Sequence, residues 1–110
     1  MTIEALSNTG LFQIVNLGDD LSREISKPFC CDLLSIAMGR APEGCAWVTV
    51  MSNMNTLAVA ALADAACIVL AEGTVLDEVA MGKAKAQGIS VFSTELPVFE
   101  SALKIHELLI

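Results

Sequence analysis

Between Cys45 and Gly73 the chain reads CAWVTVMSNMNTLAVAALADAACIVLAEG: an apolar run, a polar break, and two further apolar runs separated by Asp64. Ala46 to Met51 is rich in β-branched and aromatic residues (Trp47, Val48, Thr49, Val50) and predicts a strand. Strands that are apolar almost without interruption belong in the middle of parallel sheets, covered on both faces. Ala66 to Leu70 predicts a second strand of the same kind. Between the two, Thr56 to Ala65 predicts a helix in which Leu57 to Ala63 leave no polar face. A helix apolar all round must be buried all round. A chain of 110 residues makes one domain and can cover one side of that helix with its own sheet. The other side predicts a second copy of the protein, a homodimer.

Composition sharpens this expectation. The hydrophobic fraction is 55% and the mean hydropathy +0.65, yet Asn53, Asn55 and Asp64 keep every apolar run below the roughly 18 to 20 residues that span a bilayer. The opening residues, MTIEALSNTG, have neither the basic start nor the long apolar centre of a signal peptide. Both points predict a cytoplasmic protein with no membrane partner. Six Lys and Arg stand against 13 Asp and Glu, a formal net charge of -7, and the cations Arg23, Lys27, Arg40, Lys83, Lys85 and Lys104 are scattered. Nucleic acid binding needs a concentrated basic face, so none is expected. The four cysteines show no C-x-x-C spacing and point to no metal or cofactor. Cys45 and Cys67 fall in predicted strands as small buried hydrophobes. Cys30 and Cys31 precede a helix predicted to start near Asp32, where a helix N-terminus lowers a thiol pKa; free intracellular thiols fit the set.

The remaining chain alternates regularly. Thr2 can cap a short helix, Ile3 to Ser7, and Phe12 to Val15 predicts a strand. Asn16 to Asp20 has turn chemistry, and Leu21 to Ile25 predicts a brief edge strand ending at Ser26-Lys27-Pro28. Asp32 to Met38 suits a buried helix closed by Gly39 and Pro42. Leu76 to Gln87 predicts an amphipathic helix with Val79, Ala80, Ala84 and Leu76 inward and Gly88 as its stop. Ile89 to Phe92 is the next strand, and Val98 to Leu109 a last helix in which Glu100 and Lys104 can pair. Residues 1–110 therefore predict a single three-layer α/β domain: a mostly parallel sheet of four to five strands with helices on both faces.

In such folds ligands bind beyond the carboxyl ends of the strands. Three such ends are visible, Ser52 to Thr56, Ala71 to Thr74 and Ser93 to Glu95, and they offer Ser52, Asn53, Asn55, Thr56, Glu72, Gly73, Thr74, Ser93 and Thr94 as candidate ligand-binding residues. Free amides at the start of the apolar helix could hold an anion; alternatively Asn53 or Asn55 simply caps that helix. For catalysis the chain offers little. His106 stands alone on the last helix, Glu72 is a lone carboxylate, and there is no Gly-rich phosphate loop and no G-x-S-x-G elbow.

The segments Asp32 to Met38, Ala41-Pro42-Glu43-Gly44, Trp47-Val48-Thr49, Ala58 to Leu62, Ile68-Val69-Leu70 and Gly88 to Thr94, in this order and spacing, resemble the DRTGG domain over nearly the whole chain. The resemblance implies a fold similar to the amino-terminal domain of HPr kinase, a tendency to dimerise, and no established catalytic activity. Where that family has Asp-Arg this chain has Asn53-Met54, and its Thr-Gly-Gly becomes Ala71-Glu72-Gly73. Loss of the arginine removes the obvious anion partner. The expected function is a non-enzymatic homodimeric regulatory domain that binds a small molecule or partner protein at the strand-end edge. The alternative is an interaction or scaffold module acting through its dimer surface, in the service of an anaerobic redox enzyme such as a hydrogenase.

Overall fold

Every residue of strands β3 (Ala46–Thr49) and β4 (Cys67–Leu70) is buried, and the two pair in parallel with Trp47 beside Ile68 and Val48 beside Val69. The computed structural model describes residues 1–110. It adds β1 (Gln13–Asn16), β2 (Pro28–Cys30) and β5 (Ser90–Ser93) to form a five-stranded sheet of order β1-β5-β4-β3-β2. Strands β2 to β5 are parallel, and β1 joins β5 antiparallel, with a bulge between Ile14 and Asn16. The mostly parallel α/β domain expected from the alternation is what the chain forms.

Because side chains alternate across a strand, the sheet divides the core into two. Trp47, Ile68, Leu70 and Val91 face three helices, α2 (Leu34–Arg40), α3 (Met54–Leu62) and α4 (Glu78–Gln87). Ala46, Val48, Val69 and Phe92 face the other two, α1 (Ile3–Asn8) and α5 (Val98–Leu109). Strands β2, β3, β4 and β5 are neighbours in chain order, so crossovers of one handedness must place α2, α3 and α4 on the same face. After β5 the chain passes to the opposite face with α5. Helix α1 begins as expected, with the Thr2 hydroxyl accepting the Ala5 amide at 3.0 Å. What holds so short a helix is chiefly the burial of Ile3 and Leu6, each contributing about 1.5–3 kcal/mol against about 1 kcal/mol for the cap.

Several expectations are corrected. No strand forms at Leu21 to Ile25, where only an isolated bridge links Thr2 and Glu24; the edge strand is Pro28–Cys30. A proline fits there because it opens the strand at the sheet edge, where its missing N–H costs no ladder bond. Helix α2 starts at Leu34 rather than near Asp32, and it buries only Ala37, leaving Leu33, Ile36 and Met38 exposed. Helix α3 buries Thr56, Leu57, Val59 and Ala60 against the sheet and between α2 and α4, but Leu62 is 75% exposed and Met54 is also open. Within one chain it is therefore not covered on every side. Helix α4 starts at Glu78 rather than Leu76; Leu76 ahead of it and Ala80 and Ala84 within it are buried as expected, whereas Val79 is 63% exposed. The chain's ion pairs are Met1 N-terminus with Glu24 and Arg23 with Asp64, not Glu100 with Lys104.

Candidate functional site

Strands β4 and β5 run parallel side by side, but the chain leaves β4 toward α4 on one face and leaves β5 toward α5 on the other. Loops that part in this way open a crevice at the carboxyl end of the sheet. A cleft of about 400 Å³ lies there, lined by Gly73, Thr74 and Val75 after β4, by Ser93, Thr94 and Glu95 after β5, and by Leu11 and Gln13 at the start of β1. Ser93 and Gln13 are cross-strand partners, so their side chains rise on the same face.

The two loops brace each other across this crevice. The Glu72 amide donates to the Leu96 carbonyl and the Gly73 amide to the Thr94 carbonyl, both at 2.9 Å. Glu72 and Gly73 both take left-handed backbone angles, φ 58° and 70°, which glycine adopts freely and glutamate only under local constraint. At Gly73 a side chain would also collide with the Glu95 carboxylate. The Thr74 hydroxyl donates to the Ala71 carbonyl at 2.8 Å, and the Thr94 hydroxyl accepts the Leu96 amide at 3.2 Å. These bonds use one role of each threonine hydroxyl, whereas the Gln13 amide, the Ser93 hydroxyl and the Glu95 carboxylate make no side-chain hydrogen bond within the protein and are wholly open to a ligand.

The structure separates the sequence candidates into two groups. Gly73, Thr74, Ser93 and Thr94 meet at the cleft, while Glu72 stands beside it, its amide bonded to Leu96. Ser52, Asn53, Asn55 and Thr56 lie at the carboxyl end of β3, outside the cleft lining. There both flanking crossovers, α3 and α4, lie on the same face, so no parting of loops occurs. The Asn53 side chain caps α3, accepting the amides of Asn55 at 2.9 Å and Thr56 at 3.3 Å. This takes up donors that an anion would need. The Thr56 hydroxyl is buried with no hydrogen-bond partner.

Sequence reasoning missed Leu11, Gln13 and Val75, and did not single out Glu95 at the end of its loop. The signal for Gln13 was its place at the start of a predicted strand, which becomes informative only once β1 is known to lie against β5. Asp32, read as the start of a helix, instead closes the neighbouring part of the same edge. Its carboxylate accepts the Thr49 hydroxyl at 2.7 Å and the Val50 amide at 2.9 Å.

The cysteines lie elsewhere. Cys30 belongs to β2 and not to a helix N-terminus; burial and then the Asp32 carboxylate push its thiol pKa up. Burial raises Cys45 to about 11 and Cys67 further still. His106 is exposed on α5, and no group of three His, Cys, Asp or Glu is placed to hold a metal ion. No helix is long and apolar enough to cross a membrane.

No protein-family model matches the sequence, and no curated protein does. Among solved structures, the chain is similar to the CBS and DRTGG domains of the regulatory region of Clostridium perfringens pyrophosphatase, a complex with the activator diadenosine tetraphosphate. The match has a TM-score of 0.75 at 13% identity and covers 94% of this chain but 45% of that one. This chain thus spans less than half the length of the regulatory region it resembles. At such identity the likeness is one of fold, a DRTGG-like α/β domain.

Proposed function

We propose that the protein is a non-catalytic regulatory domain that binds a small molecule at the strand-end cleft between β4, β5 and β1. The supporting observation is the parting of the β4 and β5 loops around an open cleft whose free groups are an amide, a hydroxyl and a carboxylate. Such a set can hold and orient a ligand. No hydrogen bond joins the Ser93 hydroxyl to the Glu95 carboxylate, so the set shows no activated nucleophile and base pair. The regulatory setting of the similar pyrophosphatase domains favours the same role.

A thermal-shift screen of nucleosides, nucleotides, amines and amino acids tests it. A ligand at 100 times its Kd adds about 2.7 kcal/mol to stability, and that shift should vanish in Gln13→Ala and Ser93→Ala. A shift retained in both variants would move the ligand away from this cleft.

A second reading is favoured by a different surface. Leu33, Ile36, Met54, Leu62 and Val79 are all exposed along the α2, α3 and α4 layer, an apolar set suited to a second copy of the chain. In this reading the dimer is an interaction module or scaffold serving an anaerobic redox enzyme such as a hydrogenase. Sedimentation of the wild type and of Leu62→Glu decides it: a dimer that Leu62→Glu splits supports the module, and a monomer at high concentration removes it.

A further inference from the structure

The strand-end cleft does not end at its polar wall. Gln13, Thr74, Val75 and Ser93 also border a second cleft of about 320 Å³, which continues against Val15, Leu76 and Met81 between β1 and the start of α4. A molecule reaching into both would set one end beside Gln13, Ser93 and Glu95 and the other against hydrocarbon. Glu95 carries the formal charge at the polar end, and none of the six Lys and Arg residues lines either cleft.

The charged residues that begin the helices at this edge have the same sign. Helices α4 and α5 begin at this edge, which places Asp77, Glu78 and Glu100 in their caps and first turns. The basic residues of the last turns, Arg40 and Lys85, belong to the opposite edge, and Arg23 is engaged with Asp64. Lys104 lies part-way along α5 in a groove that adjoins the cleft at Leu11, and there it stands beside Glu107. A cleft edged by one sign of charge concentrates ligands of the other and repels its own.

Resting on the strand-end reading above, we infer that the cleft takes a small amphipathic molecule with a protonated amine at its head and an apolar body. It turns away polyphosphates, the class to which the activator of the similar pyrophosphatase region belongs. The ammonium meets the Glu95 carboxylate, Gln13 and Ser93 complete its hydrogen bonds, and the body enters the adjoining apolar cleft.

The test uses two probes with the same ring and opposite charge, tryptamine and indole-3-acetate, added to the isotopically labelled full chain and followed by amide NMR shifts. At about 5 mM, in the range where weak ligands register, tryptamine should move the amides of Gly73 to Val75, Ser93 to Glu95 and Met81. Indole-3-acetate and diadenosine tetraphosphate should move them about tenfold less, and Glu95→Gln should bring tryptamine down toward the level of the acid. Equal or larger shifts with indole-3-acetate, or a preference for the amine that survives Glu95→Gln, would overturn the charge assignment and leave the cleft standing. If every probe acted elsewhere or nowhere, the cleft itself would be lost as a site, and this inference with it.

Discussion

Asp32 and Thr49 are joined by a hydrogen bond of 2.7 Å from a fully buried threonine hydroxyl to an exposed carboxylate, and the same carboxylate oxygen takes the Val50 amide. One side chain thus ties the segment after β2 to the end of β3. Removing it in Asp32→Ala leaves the Thr49 hydroxyl without its acceptor, at an expected cost of about 1–2 kcal/mol, or roughly 4–8 °C in Tm. Asp32→Asn keeps an acceptor oxygen in place and should lose less than half as much. Calorimetry of the two variants checks the order, which a carboxylate lying idle at the surface would not produce.

Arg23 holds Asp64 at the far edge of the sheet with three bonds, two to the carboxylate and one to the carbonyl, at 3.0 to 3.1 Å. The hydrogen bond from Arg23 depresses the Asp64 pKa. A carboxyl depressed in the folded state stabilises the fold above its unfolded pKa, near 3.9, and that contribution fades as pH falls through the folded value. The two side chains are 30% and 56% exposed, so the pair should contribute at most about 1 kcal/mol. Asp64 has φ 58°, a conformation that asparagine tolerates. Urea unfolding should therefore show Asp64→Asn slightly weaker than wild type at neutral pH, with the gap closing as pH falls below the unfolded value near 3.9. Asp64→Ala should cost roughly 1 kcal/mol more at every pH, from backbone strain alone.

Two glycines make opposite predictions. A Cβ on Gly18 would overlap the Gly88 carbonyl, where the loop after β1 docks through the Gly18 amide on the Ser90 hydroxyl at 2.9 Å. Gly18→Ala must push that loop away, at about 1–3 kcal/mol. Gly82 lies within α4 with open space around it, so Gly82→Ala should gain about 0.5–1 kcal/mol by restricting the unfolded chain. Denaturant midpoints measured together should move in opposite directions.

Thiol labelling reads the core directly. Cys45 and Cys67 are fully buried with raised pKa values. Ellman's reagent should reach Cys30 and Cys31 in the native protein and all four thiols only after unfolding. Labelling of Cys67 at the native rate of Cys30 would contradict the packing between the sheet and α5.

The strands and helices from Ala46 onward were legible because β3 and β4 are apolar on both faces, and because Asn53, Asp77 and Gly88 mark helix ends by side-chain and backbone chemistry. Leu21 to Ile25 misled because its mixed pattern can suit an edge strand, but its backbone is engaged by the first residues of the chain: the Ile25 amide donates to the Met1 carbonyl, and the Ile3 and Glu4 amides donate to the Arg23 and Leu21 carbonyls. Helix α2 misled because periodicity counts apolar residues and cannot say which of them a partner chain or a sheet will cover. The site was half legible. Residue type drew attention to Ser52 to Thr56, where the polar groups serve as a cap. The cleft depends on strand order, on β5 sending its helix to the opposite face and on β1 lying beside it, and no local pattern encodes that neighbourhood.

The two flanks of the sheet bear on how such molecules can associate. On one side β2 is three residues long and begins with Pro28, which has no amide hydrogen to offer; on the other, β1 is bulged between Ile14 and Asn16. Neither border presents the flat, regular row of donors and acceptors on which another strand could template itself. Continuous β-ribbons across molecules are disfavoured for this reason. Whatever companion the protein accepts must meet it side chain to side chain, over its helices or its loops.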